Sequence, residues 1–211
     1  MKNIKLPANF IIRFIWMMLG IAMMGCGVAV LIKLKLGTDP YASFVSGLSG
    51  SLHISYGNTQ LMIQGVLFIG ILLFGRRMIG IGMIANMVLI GYITDWFTIF
   101  LDTFLAPSVW ENIVVRCVLL FPALAVVILG AALYMAVDLG MSPFDGIPFI
   151  IAERIPKVPF RIVRMGWDFL FMIMGFILGG TVGIITILQT MFLGPVIAWV
   201  RKKLEKYVIA V

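Results

Sequence analysis

Histidine and cysteine are nearly missing from this chain, with one His and two Cys in 211 residues. His53 stands alone, so a histidine-based catalytic dyad or metal cluster lacks its parts. Cys26 and Cys117 each lie inside an apolar run, where they offer no disulfide framework and no metal-ligand spacing. Charge is scarce too: Asp, Glu, Lys and Arg make up 12% of the residues, against about 25% in an ordinary soluble domain. No phosphate-binding Walker loop, Gly-x-Ser-x-Gly elbow or His-Glu-x-x-His helix occurs. ATPase, hydrolase and metalloprotease chemistry therefore have no apparatus in the chain. We expect no enzyme activity, no metal and no cofactor.

What is abundant is apolar surface. Hydrophobic residues make up 62% of the chain and mean hydropathy is +1.13. One aqueous core cannot hide that much, so the solvent for most of the chain is lipid. The formal charge of +7 does not point to nucleic acid. Lys and Arg sit mainly at the ends of apolar runs, where they suit anionic headgroups and set topology.

Six segments are long enough to cross the roughly 30 Å hydrocarbon layer: Phe10–Leu34, Asn58–Gly75, Met78–Leu101, Asn112–Val137, Pro159–Leu178 and Thr181–Val200. Pro40–Leu52 and Pro143–Ile155 are too short to cross as helices and are expected to be re-entrant or interfacial. The first span follows Lys2, Lys5 and Arg13 and so resembles a signal peptide in charge. Its length and a counterpart downstream make it a permanent span.

That counterpart belongs to a repeat. A constant offset of 103 residues gives 15 identities over the 84 pairs from Arg13/Arg116 to Trp96/Trp199. Gly37-Thr38-Asp39-Pro40 recurs as Gly140-Met141-Ser142-Pro143, and Gly27/Gly130, Gly80/Gly183 and Gly91/Gly194 fall in register. The repeats cover residues 10–104 and 112–203 of a single membrane domain, residues 1–211. Three spans per copy mean that the second copy enters from the opposite side, so the two are inverted. Loop charges agree. Arg76-Arg77 matches uncharged Gly179-Gly180, and Asp102 and Glu111 follow span three where Arg201, Lys202, Lys203 and Lys206 follow span six. Arg154, Lys157, Arg161 and Arg164, before and at the entry to span five, stand opposite Ser51, Ile54, Asn58 and Leu61. Lys33 and Lys35 disagree, falling outside. The expected fold is an all-α polytopic bundle of six transmembrane helices with both termini cytoplasmic, in a bacterial cytoplasmic membrane.

Pro at the first helical position loses no hydrogen bond, so Asp39 and Ser142 read as N-caps, with Asp145 closing a capping-box-like contact. The same geometry offers amides and dipole ends to a solute, making Thr38, Asp39, Ser142 and Asp145 candidates for binding on the helix-start motif of Gly37, Pro40, Gly140 and Pro143. Asp39 and Asp145 complicate an anion site, since their carboxylates compete for those amides. Asp168 lies mid-span, where it either binds a cation or proton or forms an interhelical pair with Arg13 or Arg116. Arg13 and Arg116, at equivalent positions, read as anchors or gating groups. Gln64 and the repeat mates Asn86 and Gln189 are buried amides suited to interhelical bonds or to solute contact.

The span count, the length and the two Gly-x-x-Pro segments together resemble the YczE/YyaS/YitT group of bacterial integral membrane proteins, its YczE-like branch most closely. The likeness covers nearly the whole chain. It implies a multi-pass bacterial membrane protein and supplies neither a substrate nor a site residue.

The leading expectation is a secondary transporter or permease for a small solute of anionic character. It would work by alternating access between inverted repeats, with a proton or sodium ion as co-substrate. The alternatives are a substrate-binding membrane subunit of a multi-chain uptake system and a non-transporting accessory protein. The partners are the lipid bilayer and the solute, with a homodimer or partner membrane subunits as assemblies and no nucleic acid.

Overall fold

Two glycines decide where the chain turns back on itself. Gly37 and Gly140 have φ of +118° and +111°, a region that side-chain-bearing residues rarely adopt. Each bends the backbone out of a long helix and into an extended residue, Asp39 or Ser142, which caps the short helix that follows. The Gly and the Pro of each Gly-x-x-Pro segment thus have separate jobs, one turning the chain and one starting a helix.

The computed structural model describes residues 9–208, and their regular elements are helices: α1 (Phe10–Leu34), α2 (Pro40–Leu52), α3 (Tyr56–Phe74), α4 (Ile81–Phe104), α5 (Pro107–Glu111), α6 (Ile113–Ala136), α7 (Pro143–Arg154), α8 (Phe160–Ile177) and α9 (Ile184–Val208). A 3-10 turn, Arg76–Met78, joins α3 to α4. Lys2, Lys5 and the two chain ends lie outside the described residues, and with them the expected placement of the termini.

Five helices, α1, α3, α4, α6 and α9, are long and apolar enough to cross a membrane. The expected span Pro159–Leu178 forms α8, which stands apart: 18 residues that include Arg161, Arg164 and Asp168. Its polarity is sorted by face, with Asp168 buried and Arg161 exposed. Apolar side chains cover the outside of the bundle, among them Ile11, Val118, Phe121, Phe176 and Trp199, a surface suited to acyl chains rather than water.

Contacts recur at the 103-residue offset. A Cβ on Gly20 would lie 2.7 Å from the Gly130 carbonyl oxygen, and one on Gly27, the mate of Gly130, 3.2 Å from the oxygen of Ala123, the mate of Gly20. So α1 and α6 approach backbone to backbone at two equivalent places, as small residues permit. Arg116 Nε donates to the Leu34 carbonyl at the end of α1, at 2.5 Å. Arg13 Nη1 donates to Val137, the residue that ends α6, at 3.5 Å. Each arginine thereby satisfies an open carbonyl at the end of the other copy's first helix. The Gly37 turn packs on Gly183 and Thr186 at the start of α9, and the Gly140 turn on Gly80 and Met83 at the start of α4.

The two short helices start side by side and end far apart. Tyr41 at the start of α2 packs on Phe144 at the start of α7, ring centroids 4.6 Å apart. At its far end α2 reaches Leu178, beyond α8, through Ser51. The far end of α7 meets the end of α3 instead, Arg154 lying over Phe74 and Glu153 pairing with Arg77. The bundle therefore encloses two helix N-termini directed at one another. At one end of the bundle the Lys33 ammonium sits 2.5 Å from Asp102, tying α1 to α4. This pair neutralises one of the two lysines that break the charge pattern of the repeats.

Candidate functional site

The space between those helix starts is charged. Arg164 on α8 bonds two carboxylates at once, Nη1 to Asp145 Oδ1 at 2.6 Å and Nε to Asp168 Oδ2 at 3.0 Å. Two carboxylates, one from α7 and one from α8, thus share one guanidinium. Asp39 caps α2 at the same meeting of helix starts, two residues before the Tyr41 ring that packs on Phe144. The Asp168 side chain is 11% exposed and that of Arg164 23%, so this is an interior cluster and not a solvated pair. The second oxygen of Asp168 is buried and has no hydrogen-bond partner.

Sequence dictates this local geometry. Arg164 and Asp168 are four residues apart on one helix and meet on one face. Trp167 and Phe171 extend the same face at helical spacing. Those rings pack with Phe144 and Tyr41, Trp167 to Phe171 at 4.9 Å and Phe144 to Phe171 edge-on at 4.9 Å. The guanidinium carbon of Arg164 lies 5.2 Å from the centroid of Phe144. The cluster is therefore floored by aromatic faces.

The helix-start amides are largely taken by the chain itself. Asp39 Oδ1 accepts from Ala42 N at 3.0 Å. Ser142 Oγ accepts from Asp145 N at 3.1 Å and donates to Asp145 Oδ2 at 2.8 Å, the expected capping contact. Gln64 Oε1, reaching across from α3, accepts from Phe144 N at 3.3 Å. Thr38 N donates to the Thr181 carbonyl at 3.2 Å, fixing the approach to α2. An anion placed here would meet the Asp145 and Asp168 carboxylates and amides already bonded.

The structure thus brings together Asp39, Ser142, Asp145, Asp168 and Gln64, with Thr38 at the edge and the turns of Gly37, Pro40, Gly140 and Pro143 as scaffold. The pairing of Asp168 with Arg13 or Arg116 is corrected: both arginines are engaged at helix ends, and Arg164 is the partner. Arg164 itself reads in the sequence as an interfacial charge before span five. The i, i+4 Arg–Asp spacing was the signal that places it inside. Asn86 and Gln189 are buried on α4 and α9. Among the described residues no hydrogen bond links them to the cluster, and the amide of Gln189 has no partner. Tyr41, Phe144, Trp167 and Phe171 are the residues that sequence reasoning missed, since aromatic positions carry no distinguishing signal in so apolar a chain.

The charged residues belong mostly to one copy. Asp145, Arg164 and Asp168 stand where the first copy has Ala42, Leu61 and Gly65. The expected repeat therefore does not account for the charges of the cluster.

A family of unknown function (DUF6198) matches residues 11–202. The chain is 28% identical over 195 residues to the uncharacterized membrane protein YczE of Bacillus subtilis, covering 90% of this chain and 85% of that one. It is 24% identical over 177 residues to the uncharacterized protein YyaS of the same organism, covering 83% and 86%. An uncharacterized protein of Haemophilus influenzae is 24% identical over 181 residues, with 86% and 79% covered. No solved structure matches. With nearly its whole length matched, the chain belongs to the DUF6198 family and is a YczE-like, multi-pass membrane protein.

Proposed function

We propose that the chain is a small carrier whose two copies are inverted in the membrane, with α8 as the sixth span and the Asp39–Asp145–Arg164–Asp168 centre as the solute site. The observation that carries this reading is the meeting of two half-length helices, N-terminus to N-terminus, around buried charge. A fold that needed only stability would fill that place with apolar side chains, since a buried ion pair seldom outperforms them. Near-equivalent contacts in the two copies supply two arrangements of similar energy, and rocking one copy against the other exposes the centre to each side in turn. Asp168 serves as the group that binds or releases the coupled charge.

Uptake into proteoliposomes of the purified chain alone tests this, across a panel of small cations, amino acids and anions. Saturable uptake is expected, and Asp168→Asn is expected to reduce it at least about tenfold while the variant stays folded, because an isosteric amide keeps the shape and removes the charge. Uptake unchanged in that variant removes Asp168 from the site. Uptake that appears only with co-purified ATPase subunits favours the multi-chain system. For topology, single cysteines are placed at Gly179 and Arg77 in a background of Cys26→Ala and Cys117→Ala. They must label from opposite faces; labelling from one face ends the inverted arrangement.

A further inference from the structure

We propose that this centre takes a small organic cation, a guanidinium or alkylammonium ion, and that Arg164 occupies its place as a tethered surrogate. The inference rests on the reading of the centre as a solute site and names the class of solute. Charge comes first. Asp145 and Asp168 share the single Arg164 guanidinium, with Asp39 capping the facing helix start, so the centre carries more acid groups than bases and neutralising it takes a proton or a further cation. Unmet bonding comes second. Asp168 is 8% exposed, and its Oδ1 is buried and makes no hydrogen bond. A buried carboxylate oxygen without a donor is costly, and it marks where a ligand N–H or a positive methyl group would settle. The aromatic floor comes third. Phe144, Trp167, Phe171 and Tyr41 interlock beside the carboxylates, and a guanidinium already lies over one of these faces, 5.2 Å from the Phe144 centroid. Carboxylates beside aromatic faces select soft organic cations, which gain from the ring quadrupole. A bare metal cation instead demands a shell of oxygens.

Donors for an anion are lacking for a definite reason. The Ala42, Phe144 and Asp145 amides at the two helix starts already bond Asp39, Gln64 and Ser142. In the first copy the equivalents of Asp145, Arg164 and Asp168 are Ala42, Leu61 and Gly65. The second copy alone therefore carries Asp145, Asp168 and the surrogate that holds them when no cation is bound.

The test uses the purified full-length chain in detergent and isothermal titration with guanidinium chloride, tetramethylammonium chloride, sodium chloride and sodium sulfate at matched ionic strength. Saturable binding of guanidinium and tetramethylammonium is expected, with none from sodium or sulfate. Asp168→Asn and Asp39→Asn should each weaken it by about tenfold or more. Should either variant fail to fold, the wild-type comparison of organic cations with sulfate decides alone. Sulfate binding that is lost in Arg164→Gln, without organic-cation binding, overturns the proposal in favour of an anion site. Cation binding untouched by both folded Asp variants overturns it too, by placing the ligand elsewhere. Saturable cation binding without uptake sustains the cation centre and sinks the carrier. Uptake of anions alone sustains the carrier and sinks the cation centre.

Discussion

Arg164→Leu is expected to cost about 3–5 kcal/mol of stability, the range found when one partner of a buried ion pair is removed and the other charge stays behind. Leucine and arginine have nearly equal helix propensity, so α8 itself is not weakened. The loss comes from Asp145 and Asp168, whose side chains are 17% and 11% exposed and share this guanidinium. They would have to protonate or draw water inward. The repeat supplies the control. A triple variant, Arg164→Leu with Asp145→Ala and Asp168→Gly, installs the residues of the first copy at all three positions. It should regain most of the loss, short of about 1 kcal/mol for glycine inside a helix. Thermal unfolding in detergent, scored by retention of a monodisperse peak, reads both. A single variant as stable as the wild type would show that the carboxylates do not depend on Arg164.

Gly130→Leu should have the next largest effect. A Cβ there would lie 2.7 Å from the Gly20 carbonyl oxygen and 3.0 Å from Met23 Cβ. Overpacking of a filled interior costs about 1–3 kcal/mol when side chains can yield, and here the nearest obstacle is backbone. We expect a loss of about 3 kcal/mol and separation of α1 from α6. Gly166→Leu is the matched control, since Gly166 is exposed on α8 and a Cβ there meets nothing within 4 Å. It should be neutral or slightly stabilising, as glycine is the poorer helix former. Equal behaviour of the two variants in the same unfolding assay would dismiss close helix approach as the reason for Gly130.

How much of this was legible beforehand depended on whether the cause was local. Both short helices and their caps follow from Gly-x-x-Pro, because turn, cap and first-turn proline act within four residues. The packing of Gly20 on Gly130 was legible only in part: a glycine among apolar residues suggests close approach, yet the partner lies on another helix. Arg164 went astray for a physical reason. Counting basic residues near span ends treats every arginine as a headgroup ligand, whereas one helical turn further in, the same side chain reaches the interior. Its partner Asp168 was found and its pairing was not, because two other arginines were equally plausible by depth. Those two, Arg13 and Arg116, turned out to serve helix ends, a role set by tertiary contacts between copies.

The reciprocal arginines also set a schedule for making the protein. The Leu34 carbonyl at the end of α1 is closed by Arg116, which lies 82 residues further along the chain. At synthesis rates of about 5–20 residues per second, that donor arrives roughly 4–16 s after the carbonyl it serves. Through that interval the end of α1 depends on water or headgroups for that bond. Arg13 is made first, and its acceptor, Val137, comes 124 residues later. Neither helix end is closed from within its own segment, so each is completed only once α1 and α6 have packed together.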